Sequence, residues 1–387
     1  MTSMELLARL VAFDTTSRNS NLALIDFVRD YLDRLGVPSH LVTDETGGKA
    51  NLYATIGRGD SGGLMLSGHT DCVPVDGQNW SADPFTLIER DGRCFGRGTA
   101  DMKAFIACAL ALVPEFLARP ADAVPVHLAF SYDEEIGMIG AKRLIAQMRD
   151  MPVQPRRCIV GEPTNMQVVV AHKGKLSVRC EVRGLECHSA LTQNGVNAIE
   201  GAAEVIVYLK AMARRLREQG PFDSDFTPPY GTVHTGVIKG GIALNVVPKE
   251  CSFSFEFRHL PQQDPLALFD EVKRHAETVL LPEMRAVFPG AAFIWHPLSD
   301  YPALVEAEDK SFAQAARAFC GCLGLAPGKV SFGTEGGLYQ QLGIAAIVCG
   351  PGSIEQAHKP DEYIELGQIT ACEDFLRRLV LSPAAVA

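Results

Sequence analysis

Apolar side chains recur along this chain in two rhythms, and the order of the rhythms describes an architecture. Residues 1–11 and 22–35 repeat them at the three-to-four spacing of amphipathic helices, the second run stopping at Gly36-Val37-Pro38. Strand-like runs follow at 40–42, 51–56 and 64–67. Residues 78–92, QNWSADPFTLIERDG, are rich in turn formers and predict a surface excursion ending in a hairpin-like pair around Asp91-Gly92. Residues 104–117 are apolar all round and predict one buried helix. Buried strands are predicted over 126–132 and 157–160, with a helix over 141–149 between them. Such alternation belongs to an α/β fold, a mixed sheet flanked by helices.

The texture changes after His172-Lys173-Gly174. The pattern predicts a strand over 175–183, a loop over 188–197, a long helix over 196–217, a Pro-rich connection over 222–230 and a strand over 231–238. Cys251, Phe253, Phe255 and Phe257 then alternate with Ser252, Ser254, Glu256 and Arg258, the period of an antiparallel strand with one covered face. A helical pattern occupies 265–281. We read residues 175–290 as a small α+β unit inserted into a discontinuous main domain made of 1–174 and 291–387. The main texture resumes with helices over 310–319, 335–341 and 367–381 and strands over 329–332 and 344–349.

Length supports this division, because 387 residues exceed the usual size of one hydrophobic core. With 47% hydrophobic and 21% charged residues the chain reads as soluble and globular, and its longest apolar runs fall far short of the ~20 residues of a membrane span. The amino-terminal pattern carries charges inside it, which predicts an amphipathic helix and no export signal. Eleven scattered cysteines with no CxxC pair suit reduced thiols in the cytoplasm. A net charge of −10 without a dense basic cluster argues against nucleic acid as a partner.

Candidate chemistry collects where predicted strands end, the place where open α/β sheets bind ligands. The strand at 64–67 runs into Gly68 and then His69-Thr70-Asp71. Alone, His69 and Asp71 read first as an ordinary hydrogen-bonded structural pair. Asp101 lies in GRGTADMK at the entry of the next helix, where it also reads as an N-cap. The strand over 126–132 ends in Asp133-Glu134-Glu135, and the one over 157–160 in Gly161-Glu162. The last buried strand leads into GPGSIEQAHKPDEY, which brings His358. Successive like charges are costly unless solvated or bound to cations. Two His with three or four carboxylates can hold two divalent cations about 3.5–4 Å apart. This mix of donors suits Zn²⁺, with Co²⁺ or Mn²⁺ as substitutes.

The segments SGHTDCVPVDG, GRGTADMKAF, DEEIGMIGA, GEPTNM, HSALTQNGVNAI, NVVPKECSFSFEFR and QAHKPDEY resemble, in order, the motifs of the M20 metallopeptidase/deacylase family. AHKG at 171–174, FGTEGGLYQ and CGPGSIEQAHKPDEY resemble its acetylornithine deacetylase branch. The resemblance implies a zinc-peptidase-like main domain and an inserted dimerisation (lid) domain. It implies that Asp101 bridges two zinc ions, one completed by His69 and Glu162 and the other by Glu135 and His358, with a cis peptide after Asp101. Asp71 is implied to orient His69 by accepting its second ring N–H, and Glu134 to act as general base for water ionised between the cations. His188 is implied to reach a partner subunit's site and stabilise the oxyanion, hence a homodimer. Arg258 and Asn245 match positions that bind the substrate carboxylate. Glu335 is our own candidate for the substrate's δ-amine, and it reads equally well as a helix N-terminal acid complementing the dipole. The stretch Leu191-Thr192-Gln193-Asn194 departs from the Pro-containing segment many relatives carry after the inserted-domain His.

The implied activity is hydrolysis of N²-acetyl-L-ornithine to L-ornithine and acetate, in the cytoplasm. N-acetyl-L-citrulline deacetylation and succinyl-diaminopimelate desuccinylation share the metal set and the carboxylate anchor. A non-catalytic metal- or ligand-binding relative would be marked by loss of Glu134 or of a ligand, and every position is filled.

Overall fold

A computed structural model describes residues 1–58, 62–151 and 153–382. The chain forms two compact units. The first comprises Met1–Ala171, Leu304–Lys329 and Thr334–Ala387, and the second His172–Ala303 with Val330–Gly333.

The strands in chain order are β1 (Ser39–Thr43), β2 (Ala50–Ile56), β3 (Leu64–His69), β4 (Ile88–Arg90), β5 (Arg93–Phe95), β6 (Val126–Ser131), β7 (Arg157–Val160) and β8 (Val169–His172). They continue as β9 (Gly174–Arg183), β10 (Thr232–Gly240), β11 (Glu250–His259), β12 (Ala292–Tyr301), β13 (Gly328–Val330), β14 (Ala345–Val348) and β15 (Tyr363–Glu365).

The main sheet of the first unit has the order β1-β2-β6-β3-β7-β14-β8-β13. At its centre β6, β3, β7 and β14 run parallel, while β1, β2 and β8 are antiparallel to their neighbours. Every residue of β3 and β6 is buried, as expected where helices cover both faces of a sheet. Alternate residues Leu64, Leu66, Leu128 and Phe130 enter one large core with the helices Ser3–Val11, Leu22–Arg34, Ala104–Ala111, Ser311–Phe319 and Leu366–Leu381. The opposite face, with Met65, Ser67 and Ala129, is equally buried and lies toward the helices Ile139–Met148 and Gly336–Gln340. The first helix begins in a capping box. The Thr2 hydroxyl accepts from the Glu5 N–H, and the Thr2 N–H donates to the Glu5 carboxylate.

The predicted helix over 104–117 is two helices, Ala104–Ala111 and Val113–Leu117. Pro114 has no N–H to give to the preceding turn, so the ladder breaks at Leu112. The turn-rich excursion closes as the β4–β5 hairpin, and β15 adds to β5 in a small three-stranded sheet.

The second unit is an antiparallel sheet of order β10-β11-β9-β12. Phe253, Phe255 and Phe257 of β11 point to the covered face, where they meet Val205 and Leu209 of helix Ala198–Gln219 and Phe269 and Val272 of helix Pro265–His275. This unit runs to Ala303, beyond the 290 read from the sequence, because β12 pairs along β9. Among the described residues all eleven cysteines are free thiols, and no helix is long and apolar enough to cross a membrane.

Candidate metal centre

The four parallel strands at the middle of the first unit's sheet end on the same side, and each delivers part of one cluster. His69 is the last residue of β3, Glu134 and Glu135 follow β6, Glu162 follows β7, and the chain after β14 arrives at His358. Asp101 comes from the turn before helix Ala104–Ala111, with backbone φ −121°, ψ 92°. It is no N-cap. That helix has Lys103 at its cap position and no side-chain cap bond, and the Asp101 carboxylate turns to two histidines. The Asp101–Met102 peptide is cis.

The distances divide the cluster around Asp101. Its Oδ1 lies 3.0 Å from His69 Nε2, and its Oδ2 lies 3.3 Å from His358 Nε2. Glu162 comes within 3.7 Å of His69 Nε2, and Glu135 within 3.1 Å of His358 Nε2. Two groups of ligand atoms result, His69–Asp101–Glu162 and Asp101–Glu135–His358, each with its donors within 4.8 Å of one another.

Asp71 ties the cluster to its neighbours. Nδ1 of His69 lies 3.0 Å from the Asp71 carbonyl oxygen and 3.5 Å from its carboxylate, so either acceptor leaves Nε2 to face Asp101. The Asp71 carboxylate also accepts from the Ser17 hydroxyl at 2.7 Å and from the backbone N–H groups of Glu134 at 3.0 Å and Glu135 at 3.3 Å. One buried carboxylate thus sets both the imidazole and the acidic turn. Lys49 pairs with Asp133 at the base of that turn, 2.6 Å away, and Asp133 takes the left-handed φ of 54°.

The electrostatics ask for cations. Burial pushes Glu134 and Glu162 well above the usual carboxylate range, and neighbouring carboxylates push the same way while His69 opposes them. Glu135 is raised by burial and by Asp101. Burial would lower His69, but hydrogen bonds to Asp101 and Asp71 hold it well above its ordinary value. Hydrogen bonds to Asp101 and Glu135 lift His358 to about 10. Asp101, despite its burial, is held low by His358 and His69. The surrounding carboxylates thus favour positive charge at both imidazoles. Imidazole nitrogen and carboxylate oxygen, with no thiolate among them, form a donor set that fits divalent metal ions.

The other predicted site residues are not among these two ligand groups. Glu335 is 1% exposed, and its carboxylate accepts from the hydroxyls of Ser67 (3.0 Å), Tyr339 (3.1 Å) and Ser131. A substrate amine would have to exchange with one of these hydroxyls to pair with it. In the second unit His188 is exposed, and its Nδ1 accepts the Ala190 N–H at 3.1 Å. Asn245 is beside it, its carbonyl accepting the Ser189 N–H. Arg258 stands on β11, where its Nε donates to Glu256 at 3.0 Å and Nη1 to the Tyr301 hydroxyl.

Sequence reading passes over the supports of the centre: Ser17, Lys49, Gln78, Arg97 and Glu362. Arg97 and Glu362 lie inside the quoted motifs GRGTADMK and QAHKPDEY, and a buried charge in a motif is a readable signal. Gln78 and Ser17 carry none.

The signature of peptidase family M20/M25/M40 matches residues 65–382. An acetylornithine deacetylase from Myxococcus xanthus is 38% identical over 382 residues, covering 97% of this chain and 95% of the relative. One from Proteus mirabilis is 36% identical, over 95% of this chain and 92% of the relative. An M20 family metallo-carboxypeptidase from Sulfolobus solfataricus shares the fold with a TM-score of 0.78 at 19% identity, covering 98% of this chain and 99% of its own. Human carnosine dipeptidase 1 does so with a TM-score of 0.73 at 18% identity, covering 99% and 96%.

Proposed function

The chain belongs to peptidase family M20/M25/M40, and from that premise we propose that it hydrolyses N²-acetyl-L-ornithine to L-ornithine and acetate with the help of two divalent cations, Zn²⁺ first among them. The observation that carries the reading is the Asp101 carboxylate, whose two oxygens face two different histidines. His69, Asp101 and Glu162 would hold one cation, and Asp101, Glu135 and His358 the other. When bound, such ions polarise a carbonyl and make water acidic near neutral pH.

The protein's own groups supply the proton traffic. A Glu134 carboxylate oxygen takes the proton of the attacking water and returns it to the leaving amine nitrogen. Its burial among carboxylates suits it to both tasks, because a base whose pKa is lifted toward the working pH is also a usable acid. Asp71 fixes the turn that carries Glu134 through the backbone bond at 3.0 Å. His188 donates to the carbonyl oxygen as it becomes negative. Its Nδ1 accepts from Ala190, which leaves the proton on Nε2 and makes that atom the donor. We assign this His188 to the site of a partner subunit, so that the working form is a cytoplasmic homodimer joined through the inserted unit. Arg258 and Asn245 receive the substrate's α-carboxylate, and Glu335 pairs with the δ-ammonium after displacing a hydroxyl donor.

Release of acetate from acetylornithine and acetylcitrulline and of succinate from succinyl-diaminopimelate, measured side by side on metal-loaded and chelated protein, tests the reading. Acetylornithine is expected to have the highest kcat/KM, and chelation to abolish turnover until Zn²⁺ or Co²⁺ is restored. Undiminished turnover by metal-free protein sinks the mechanism. A Glu335→Ala variant with an unchanged ratio of acetylornithine to uncharged N-acetylamino acid hydrolysis sinks the role of Glu335.

A further inference from the structure

Resting on the metal-centre reading above, we infer that Glu362, Arg97 and Gln78 form a positioning frame that sets the Asp101–Glu135–His358 half of the centre before a cation arrives. The two halves are scaffolded differently. His69 and Glu162 leave adjacent strands β3 and β7, and the ladder bond from the Gly161 N–H to the Ser67 carbonyl, 3.0 Å, fixes their spacing. His358 instead sits in the connection between β14 and β15, on a backbone with φ 64°. A non-glycine residue keeps that conformation only where its surroundings hold it.

What holds it is a chain of side-chain bonds. Gln78 Nε2 donates to the His358 carbonyl at 3.0 Å, and Gln78 Oε1 accepts from Arg97 Nη2 at 2.6 Å and from the Trp80 indole N–H at 3.0 Å. Arg97 stands over the Trp80 ring, 5.0 Å from its centroid, and Nη1 reaches the Glu362 carboxylate at 2.7 Å. That carboxylate is fully engaged. Its other bonds come from the backbone N–H groups of Gly98 at 3.0 Å, Ala100 at 2.8 Å and Asp101 at 3.1 Å. Glu362 therefore grips the turn that carries Asp101 and lies four residues beyond His358. The pairing of β15 with β5 brings the two ends of this grip together, Glu365 opposite Arg93 and Tyr363 opposite Phe95.

Stability alone is a poor reason for such a device. Arg97 and Glu362 are each 1% exposed, and a buried ion pair commonly stabilises a fold no better than apolar groups of the same size. Arg97 Nε is also buried without a partner. What the frame does supply is a fixed relation between two ligands distant in sequence, the office that groups behind metal ligands perform.

The experiment titrates metal-free full-length protein with Zn²⁺ by calorimetry and with Co²⁺ by visible absorption, comparing wild type with Gln78→Ala, Gln78→Glu and Glu362→Gln. Wild type is expected to take two ions. Gln78→Ala is expected to bind the first with wild-type affinity and the second about 10–100-fold more weakly, with a lower unfolding midpoint of the metal-free protein from the lost Arg97 acceptor. Gln78→Glu keeps an acceptor for Arg97 but has no donor for the His358 carbonyl, so it is expected to weaken the second ion as Gln78→Ala does. Glu362→Gln, which puts an amide against backbone donors, should weaken the second ion at least as much. Wild-type affinity for the second ion in both Gln78 variants overturns the frame, whether or not Glu362→Gln folds. A wild type that takes fewer than two ions, or a His358→Ala variant that takes two with unaltered affinity, instead overturns the metal-centre reading beneath it.

Discussion

Replacing Glu134 by Gln removes one negative charge and the proton acceptor while keeping the side chain's shape. The turn is unaffected in its anchorage, because Asp71 holds the backbone N–H of residue 134 and not its side chain. Glu135, Asp71 and Glu335 all raise the cost of ionising Glu134, so the metal-free variant should be at least as stable as wild type. The loss falls on the chemical step. A positioned general base contributes about 10²- to 10⁴-fold, which is roughly 3–5 kcal/mol of activation free energy. Steady-state acetate release should show kcat and kcat/KM falling together by that factor, with KM within a few-fold, the pattern of an interaction made in the transition state. Metal content by atomic emission should stay at the wild-type value. A variant that folds, holds its metal and keeps kcat within about tenfold would refute the assignment of Glu134 as the base.

Metal-free protein should lose stability as pH rises from about 6.5 to 10. His69 and His358 are raised in the folded state, so the stability they contribute is complete below the ordinary histidine value of 6.5 and is lost toward the folded value, about 10 for His358. Glu134, Glu135 and Glu162 are also raised and act with the same sign, and thermal unfolding followed at several pH values reads the slope. Metal binding should release protons, detected as a calorimetric heat that depends on the buffer's ionisation enthalpy. Gly161→Ala would place a Cβ 1.9 Å from the Phe105 ring. Overpacking of this kind costs about 1–3 kcal/mol, and the backbone shift would carry Glu162 with it. Loss of one bound metal together with a lower unfolding midpoint is expected, and retention of both at wild-type values would show that Phe105 can give way.

Most residues of the candidate cluster were readable because they sit where a period changes. His69, Glu134, Glu135 and Glu162 are polar residues immediately after buried runs, and a buried run that stops in charge marks the end of a strand. Strand order was not readable in the same way. Nothing local places β14 between β7 and β8, and that placement brings the His358 connection to the same side as the rest. The break at Leu112 could have been read from Pro114, but the continuous apolar pattern concealed it. β15, three residues long, and β12, whose Pro297 and Ser299 interrupt its register, carry too little periodicity to announce themselves. Glu335 shows the limit on chemistry. Its acidic character was plain, while its enclosure by Ser67, Ser131 and Tyr339 depends on residues more than two hundred positions away along with one four residues on.

During synthesis the slot for β14 stays open for a long time. β7 and β8 leave the ribosome with only a short connection between them, yet the strand that will separate them follows roughly two hundred residues behind β7, after the whole second unit. At about 5–20 residues per second this is an interval of roughly 10–40 s. In the finished sheet β14 covers one edge of β7, so through that interval this edge lacks its native partner. His69, Asp101 and Glu162 have all been made by then, while His358 has not. The nascent chain therefore carries one complete triad of candidate ligands beside an unfilled sheet edge, and the second triad becomes possible only after the last strand of the parallel core has been made.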